Sequence, residues 1–222
     1  MGLGVNRIFV WDLPQRLFHW LLVLLIVVSW VSVTAGGNAM QIHFLSGYTI
    51  LTLVLFRVAW GFLGTRHARF DSFMRSPRAA VAYLRSLRSN DAAPHLGHNP
   101  AGGWSVILML AILLLQSATG LFANDDIAAA GPLAKLVSKA LSDRITGIHH
   151  ISVKLLYALI GLHLSAVAYY VFYRKENLVT PMLTGYKDSG EKHAAPDRQR
   201  NWLAALVLAA CAGGVVILIK AA

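Results

Sequence analysis

Gly147-Ile148-His149-His150-Ile151 opens an apolar run that carries His163 and ends near Tyr173, and the reading of this stretch decides the fold. A run of this length with so few charges is long enough to cross a membrane as one helix. His149 and His163 are 14 residues apart. At 100° per residue both imidazoles leave one face of a helix, and at 1.5 Å per residue they lie ~21 Å apart along its axis. Within an apolar core ~30 Å thick that spacing puts one histidine near each surface and predicts two cofactor sites. His150 diverges from His163 by roughly 140°, so His149 is the ligand and His150 its neighbour. Two satisfied polar residues inside a bundle would show the same spacing, so the decision falls to their partners elsewhere in the chain.

Composition narrows the class. The 222 residues are 56% hydrophobic and only 14% charged, with positive mean hydropathy, which marks an integral membrane protein with room for four or five spans and no large soluble domain. The net charge of +10 lies between the apolar runs, which argues for membrane topology and against nucleic acid as a partner. A single cysteine, Cys211, excludes disulfides within the chain, and the absence of a C-x-x-C-H motif excludes covalently tethered haem. No cleavable signal peptide is expected, because the first apolar run is too long for one.

Working outward, the spans fall at residues 17–35, 43–63, 104–122, 147–173 and 202–219, and no internal repeat is convincing. Pro14 suits the first turn of the first helix, with Asp12 or Leu13 near its cap. Residues 36–38 form a tight outer turn. Residues 76–88 and 132–144 read as surface helices, and residues 174–200 as a polar, charged link. The segments 1–16, 65–101 and 174–200 hold 14 of the 20 Lys and Arg, against 4 in the segments on the other side. This bias predicts a cytoplasmic N-terminus and a periplasmic C-terminus in a bacterial inner membrane. The expected domains are a transmembrane bundle over 1–178, a cytoplasmic linker over 179–201 and an added C-terminal span over 202–220.

With orientation assigned, depths can be compared. His43 opens the second span at the outer surface, level with His149 at the start of the fourth. His19 is 17 residues from Gly36 and His163 is 16 residues from Gly147, so both lie about 25 Å deep. Four histidines on three helices thus form two level pairs, His43/His149 and His19/His163, as axial ligands of two haem irons. A zinc site would require four ligands together, whereas an electron-carrying haem is closed by two opposed imidazoles. Arg57 shares the His43 face at the inner depth, where a haem propionate is a natural partner; the side chain is also long enough to reach the inner surface. Gly47 and Gly61, four residues beyond His43 and Arg57, leave gaps where a flat macrocycle could approach, though both equally suit close helix packing. His67, His95, His98, His150 and His193 have no matched geometry; the His95/His98 pair reads as exposed loop histidines, with a weak surface metal site as the alternative. Gln116 and Thr119-Gly120 read as helix-contact residues.

The residues just reached also carry a resemblance. Val10-Trp11-Asp12-Leu13-Pro14-x-Arg16-x-Phe18-His19-Trp20, Arg57-x-x-Trp60-Gly61-Phe62-x-Gly64-Thr65-Arg66-His67-Ala68-Arg69-Phe70, Gly97-His98-Asn99-Pro100-Ala101-Gly102-Gly103 and the His149…His163 spacing are similar to prokaryotic cytochrome b561 and the b-type cytochrome subunits of nickel-iron hydrogenases. The similarity spans about residues 8–173. It implies an all-α, four-helix transmembrane bundle with two b haems, ligated by His19, His43, His149 and His163, that moves electrons between a quinone pool and a redox partner. The fifth span is an addition to that core, and His150 stands where the family commonly has an acidic residue.

The leading expectation is therefore a di-haem membrane cytochrome with membrane lipid, a quinone or quinol and a periplasmic or membrane redox protein as partners, and with no catalytic residue of its own assigned. The alternative is a haem-bearing anchor and docking subunit of a larger oxidoreductase. A transporter with polar midplane residues is a third reading, and it predicts no haem absorbance.

Overall fold

The computed structural model describes residues 6–87, 95–189 and 200–221. In chain order the elements are β1 (Asn6–Phe9), α1 (Leu13–Ala35), α2 (Met40–Leu63), α3 (Phe70–Phe73), α4 (Pro77–Ser86), α5 (Pro100–Gly120), α6 (Lys139–Ala168), α7 (Val179–Thr184), β2 (Tyr186–Ser189) and α8 (Asn201–Lys220). Among the described residues five helical segments are long and apolar enough to cross a membrane: Leu13–Ala35, Gly37–Leu63, Pro100–Gly120, Lys139–Tyr173 and Asn201–Lys220.

Local chemistry sets the boundaries. Asp12 caps α1 by accepting from the Gln15 amide at 2.7 Å, and Pro14 occupies the first turn, where a missing N–H costs nothing. Gly36 and Gly37 both take positive φ (64° and 53°), a pair that turns the chain from α1 into α2 at no Cβ cost. Ser76 caps α4 and Asn99 caps α5 in the same manner as Asp12, each just ahead of a proline. Ser138 caps α6.

The central element is α2. It packs along α1, touches α5, and is covered on another flank by α8, while α5 packs along α6. The shared core joins Phe18 and Leu22 of α1, Ile50, Leu53, Val54, Phe56 and Trp60 of α2, Leu110 and Leu113 of α5, Leu156 of α6 and Ala204 of α8. In lipid these contacts gain little from the hydrophobic effect, so close packing and polar contacts between helices hold the bundle. Among the described residues α6 packs extensively along α5 alone. Toward α1 and α2 it packs less closely, through side chains such as Leu156 in the shared core.

At one end the chain closes with a feature that the sequence reading did not contain. β1 pairs antiparallel with β2, Arg7 opposite Asp188 and Phe9 opposite Tyr186. Gly185, left-handed at φ 89°, presents its carbonyl to the amides of Val10 and Trp11. Arg16 and Trp20 of α1 donate to the carbonyls of Leu183 and Met182. Lys187 donates to the His95 carbonyl at 2.6 Å and pairs with Glu176 at 2.5 Å. Residues 179–189, expected as part of a bare linker, thus form a short helix and a strand that tie the N-terminus and the 95–99 loop together.

Other boundaries moved as well. The first helix extends ahead of its apolar run to Leu13, with Asp12 as its cap and Pro14 in its first turn, as the sequence indicates. The surface helix expected at 132–144 is absent; a single 3-10 turn at Ala134–Leu136 is followed by α6, which starts at Lys139 and runs unbroken through Gly147. The surface helix expected at 76–88 is observed as α4, with Arg88 outside the described residues, as is His193.

Candidate functional site

The structure brings four of the singled-out histidines together in two pairs. The imidazole of His43 on α2 faces that of His149 on α6, with ring centroids 6.4 Å apart and planes at 85°. Toward the other end of the bundle His19 on α1 faces His163 on α6, with centroids 6.5 Å apart and planes at 54°. All four rings are half-buried. They face one another across the gap between α6 and the α1–α2 pair, where the helices themselves do not pack extensively.

The pair nearer the α1–α2 turn is held by helix carbonyls. His43 Nδ1 lies 3.0 Å from the Ser29 carbonyl, and Ser29 Oγ is equally close. His149 Nδ1 lies 3.0 Å from the Gln116 carbonyl and 3.1 Å from Thr119 Oγ1. A carbonyl can only accept, so each Nδ1 carries the proton and each Nε2 keeps its lone pair for another partner. At His149 that partner is the Gln116 side-chain amide, 3.0 Å from Nε2, while Gln116 Oε1 accepts from Ser152. Gln116 and Thr119 are therefore positioning contacts for His149 as well as residues of the α5–α6 interface. Nothing in their spacing distinguished that role from ordinary helix packing. Gly120 lets the ring lie close: a Cβ there would sit 3.1 Å from His149 Cε1.

The second pair has a different setting. His19 Nδ1 is buried and has no polar partner. Nearby, Arg57 is completely buried, and none of its three guanidinium nitrogens has a hydrogen-bond partner. The ring of Phe70 lies beneath it, 5.1 Å from centroid to Cζ. The acidic group close enough to act on Arg57 is Asp12. The Asp12 oxygens are already engaged by the Gln15 amide, by Trp60 Nε1 at 3.0 Å and by Thr65 Oγ1 at 2.7 Å. A buried guanidinium with five unused donors calls for an anion that comes from outside the chain.

The two singled-out glycines part company. Beside Gly47 a Cβ would meet nothing within 4 Å, so open space adjoins the helix one turn from His43. At Gly61 a Cβ would fall 2.1 Å from the Phe70 ring, so that space is already filled by packing. His98 also departs from the exposed-loop expectation. It sits between Trp11 and Phe73, with ring centroids at 4.7 and 4.6 Å, and its Nδ1 is shielded without a partner. Burial, with the Arg57 charge second, holds its imidazole down to about 3. His98 lines a cavity of about 240 Å³ with Arg66, His67, Arg75, His95 and Pro100, at the end of the bundle that carries the β1–β2 ribbon. His150 is exposed, with its ring 6.3 Å from that of His149. Among the described residues no three His, Cys, Asp or Glu converge, so each pair offers an incoming metal two imidazoles and no more.

The chain matches the family model described as prokaryotic cytochrome b561 over residues 10–185. It is similar to a probable Ni/Fe-hydrogenase B-type cytochrome subunit of Azotobacter chroococcum mcd 1, at 25% identity over 82% of this chain and 89% of that one. A second relative, the probable Ni/Fe-hydrogenase B-type cytochrome subunit of Azotobacter vinelandii, is 28% identical over 52% of this chain and 58% of its own. No solved structure matches significantly. With the family match running from the residue after β1 to the residue before β2, and with five membrane-length helices among the described residues, the chain belongs to the prokaryotic cytochrome b561 family of membrane-bound b-type electron-transport proteins.

Proposed function

We propose that the chain is a di-haem cytochrome that passes electrons between the quinone pool and a redox partner protein. His19 and His163 would hold the inner haem, and His43 and His149 the outer. The spacing of the rings carries this reading. An iron held by two imidazole nitrogens at about 2 Å each, with each ring centre ~1.1 Å behind its nitrogen, would put the centroids ~6.2 Å apart. The two pairs stand at 6.5 and 6.4 Å. Both lie across the gap where α6 makes no extensive contact with α1 or α2, which is where a flat macrocycle needs room.

The surrounding residues fit haem b. The group supplies one-electron redox chemistry at a six-coordinate iron. The Ser29 and Gln116 carbonyls fix the tautomer in which Nε2 is the ligating atom, and the Gln116 amide must swing off His149 to release it. Arg57 is the partner for an inner propionate, and the space beside Gly47 admits the ring edge of the outer group. Gly61 serves Phe70 and not the cofactor.

The basic segments at the ribbon end favour a cytoplasmic position for that end, with the N-terminus inside and the C-terminus outside. The cavity beside His67 and His98 is then the cytoplasmic candidate for a quinone headgroup. The bundle through residue 178 carries the chemistry, and α8 serves as a lateral brace on α2. The names of the two relatives favour a second role on the same site: a membrane subunit whose haems serve a hydrogenase-like partner docked outside. Proteoliposomes holding the protein, a short-chain quinol and an external impermeant one-electron acceptor test the proposal. Acceptor reduction that depends on both His43 and His163 is the expected result; reduction unaffected by their replacement refutes it.

A further inference from the structure

The two imidazole pairs differ in what surrounds them, and the difference has a sign. At the outer pair both Nδ1–H groups face main-chain carbonyls at 3.0 Å, Ser29 for His43 and Gln116 for His149. An imidazole that donates in this way becomes a more basic ligand, and a more basic ligand favours the ferric over the ferrous iron. At the inner pair His19 Nδ1 is buried with no acceptor at all, so this electron release is missing. The inner end instead carries a fully buried guanidinium, Arg57, which lies 14 residues beyond His43 on α2 and so ~21 Å along that helix, at the level of the inner pair. A fixed positive charge favours the ferrous iron, whether it acts directly or by neutralising a propionate. Asp12 is the counter-charge that acts on Arg57, but it makes no hydrogen bond to the guanidinium, whose donors stay unused. Among the described residues the outer level has no buried cation: Lys154, on α6, is exposed.

We propose that Arg57 and the unequal Nδ1 contacts make the inner haem the stronger oxidant of the two, with Arg57 as the residue that sets the difference. The inference rests on the two-haem reading above.

The test is an optical redox titration of the purified full-length protein in detergent. Wild type should titrate in two one-electron steps separated by at least tenfold in equilibrium constant, which is 59 mV for one electron. The upper step should survive in His43→Ala and vanish in His163→Ala. Arg57→Gln should lower the upper step by at least tenfold, and Arg57→Lys should restore most of the shift. A merely structural Arg57 would not give that charge-dependent rescue. The ordering is overturned if the upper step is the one lost in His43→Ala, or if the two steps coincide. These wild-type and histidine data decide the ordering even where Arg57→Gln fails to take up haem. A single titrating haem in the wild type refutes the two-haem reading itself, and the ordering with it.

Discussion

Replacement of Asp12 by alanine should destabilise the protein more than any other single polar change outside the histidines. The carboxylate is 1% exposed and serves three elements at once: the α1 N-terminus through the Gln15 amide, α2 through Trp60 Nε1, and the following turn through Thr65 Oγ1. Loss of the cap costs about 1 kcal/mol. Loss of two hydrogen bonds to a charged acceptor costs roughly 1.5–3 kcal/mol each, and leaves the Trp60 N–H buried and unpaired. Arg57 also loses its nearest counter-charge. Allowing for non-additivity, a total of about 4 kcal/mol is expected, which for a chain of this size lowers Tm by roughly 10 °C. Thr65→Val removes one donor and should lower Tm by about 3 °C, with Asp12→Asn falling between the two. Thermal unfolding in detergent, followed by far-ultraviolet circular dichroism, reads all three. If Asp12→Ala costs no more than Thr65→Val, Asp12 is not the joint between α1, α2 and Arg57.

Further outcomes follow from the same geometry. Either His43→Ala or His149→Ala should remove the outer haem and spare the inner, with the converse for His19→Ala and His163→Ala; haem-to-protein ratios decide it, and loss of the outer haem in His150→Ala would break the helical-face argument. Gly61→Ala drives a methyl into the Phe70 ring and should cost about 1–3 kcal/mol, measured as a fall in Tm. Gly47→Leu should leave Tm of the haem-free protein nearly unchanged but reduce outer haem content, since it meets no protein atom; full haem content there would show that the open space is not the cofactor's. His98 stays neutral when folded down to about 3, whereas an unfolded imidazole takes a proton near 6.5. The folded state therefore binds fewer protons in that window, and its stability is complete above pH 6.5 and falls as pH drops toward 3. His98→Phe should flatten that acid limb of the stability curve, and an unchanged slope would exclude His98 as its source.

The sequence carried the membrane class and five spans because apolar runs and the Lys/Arg distribution are set by the bilayer, which acts on every residue alike. The meeting of His43 with His149 and of His19 with His163 was legible for a related reason. A helix has a fixed rise, so equal depth can be counted along the chain before any packing is known. What escaped depends on contacts between distant segments. The pairing of β1 with β2 joins residues about 180 apart, and neither four-residue strand has a pattern of its own. The burial of His98 needs Trp11 and Phe73, which come from two other segments. Gln116 and Thr119 reach His149 from another helix, and no spacing rule links them. The helix expected at 132–144 failed for a local reason: Ser138 is a strong cap, so α6 starts there and passes through Gly147 without a break.

The most direct test of the account is the haem content and iron spin state of the purified wild-type protein, by pyridine haemochrome quantification and low-temperature electron paramagnetic resonance. Two opposed imidazoles at each of two sites predict two haems per chain, both low-spin when oxidised. One haem per chain, or a high-spin ferric signal from an iron with an open axial position, would contradict it.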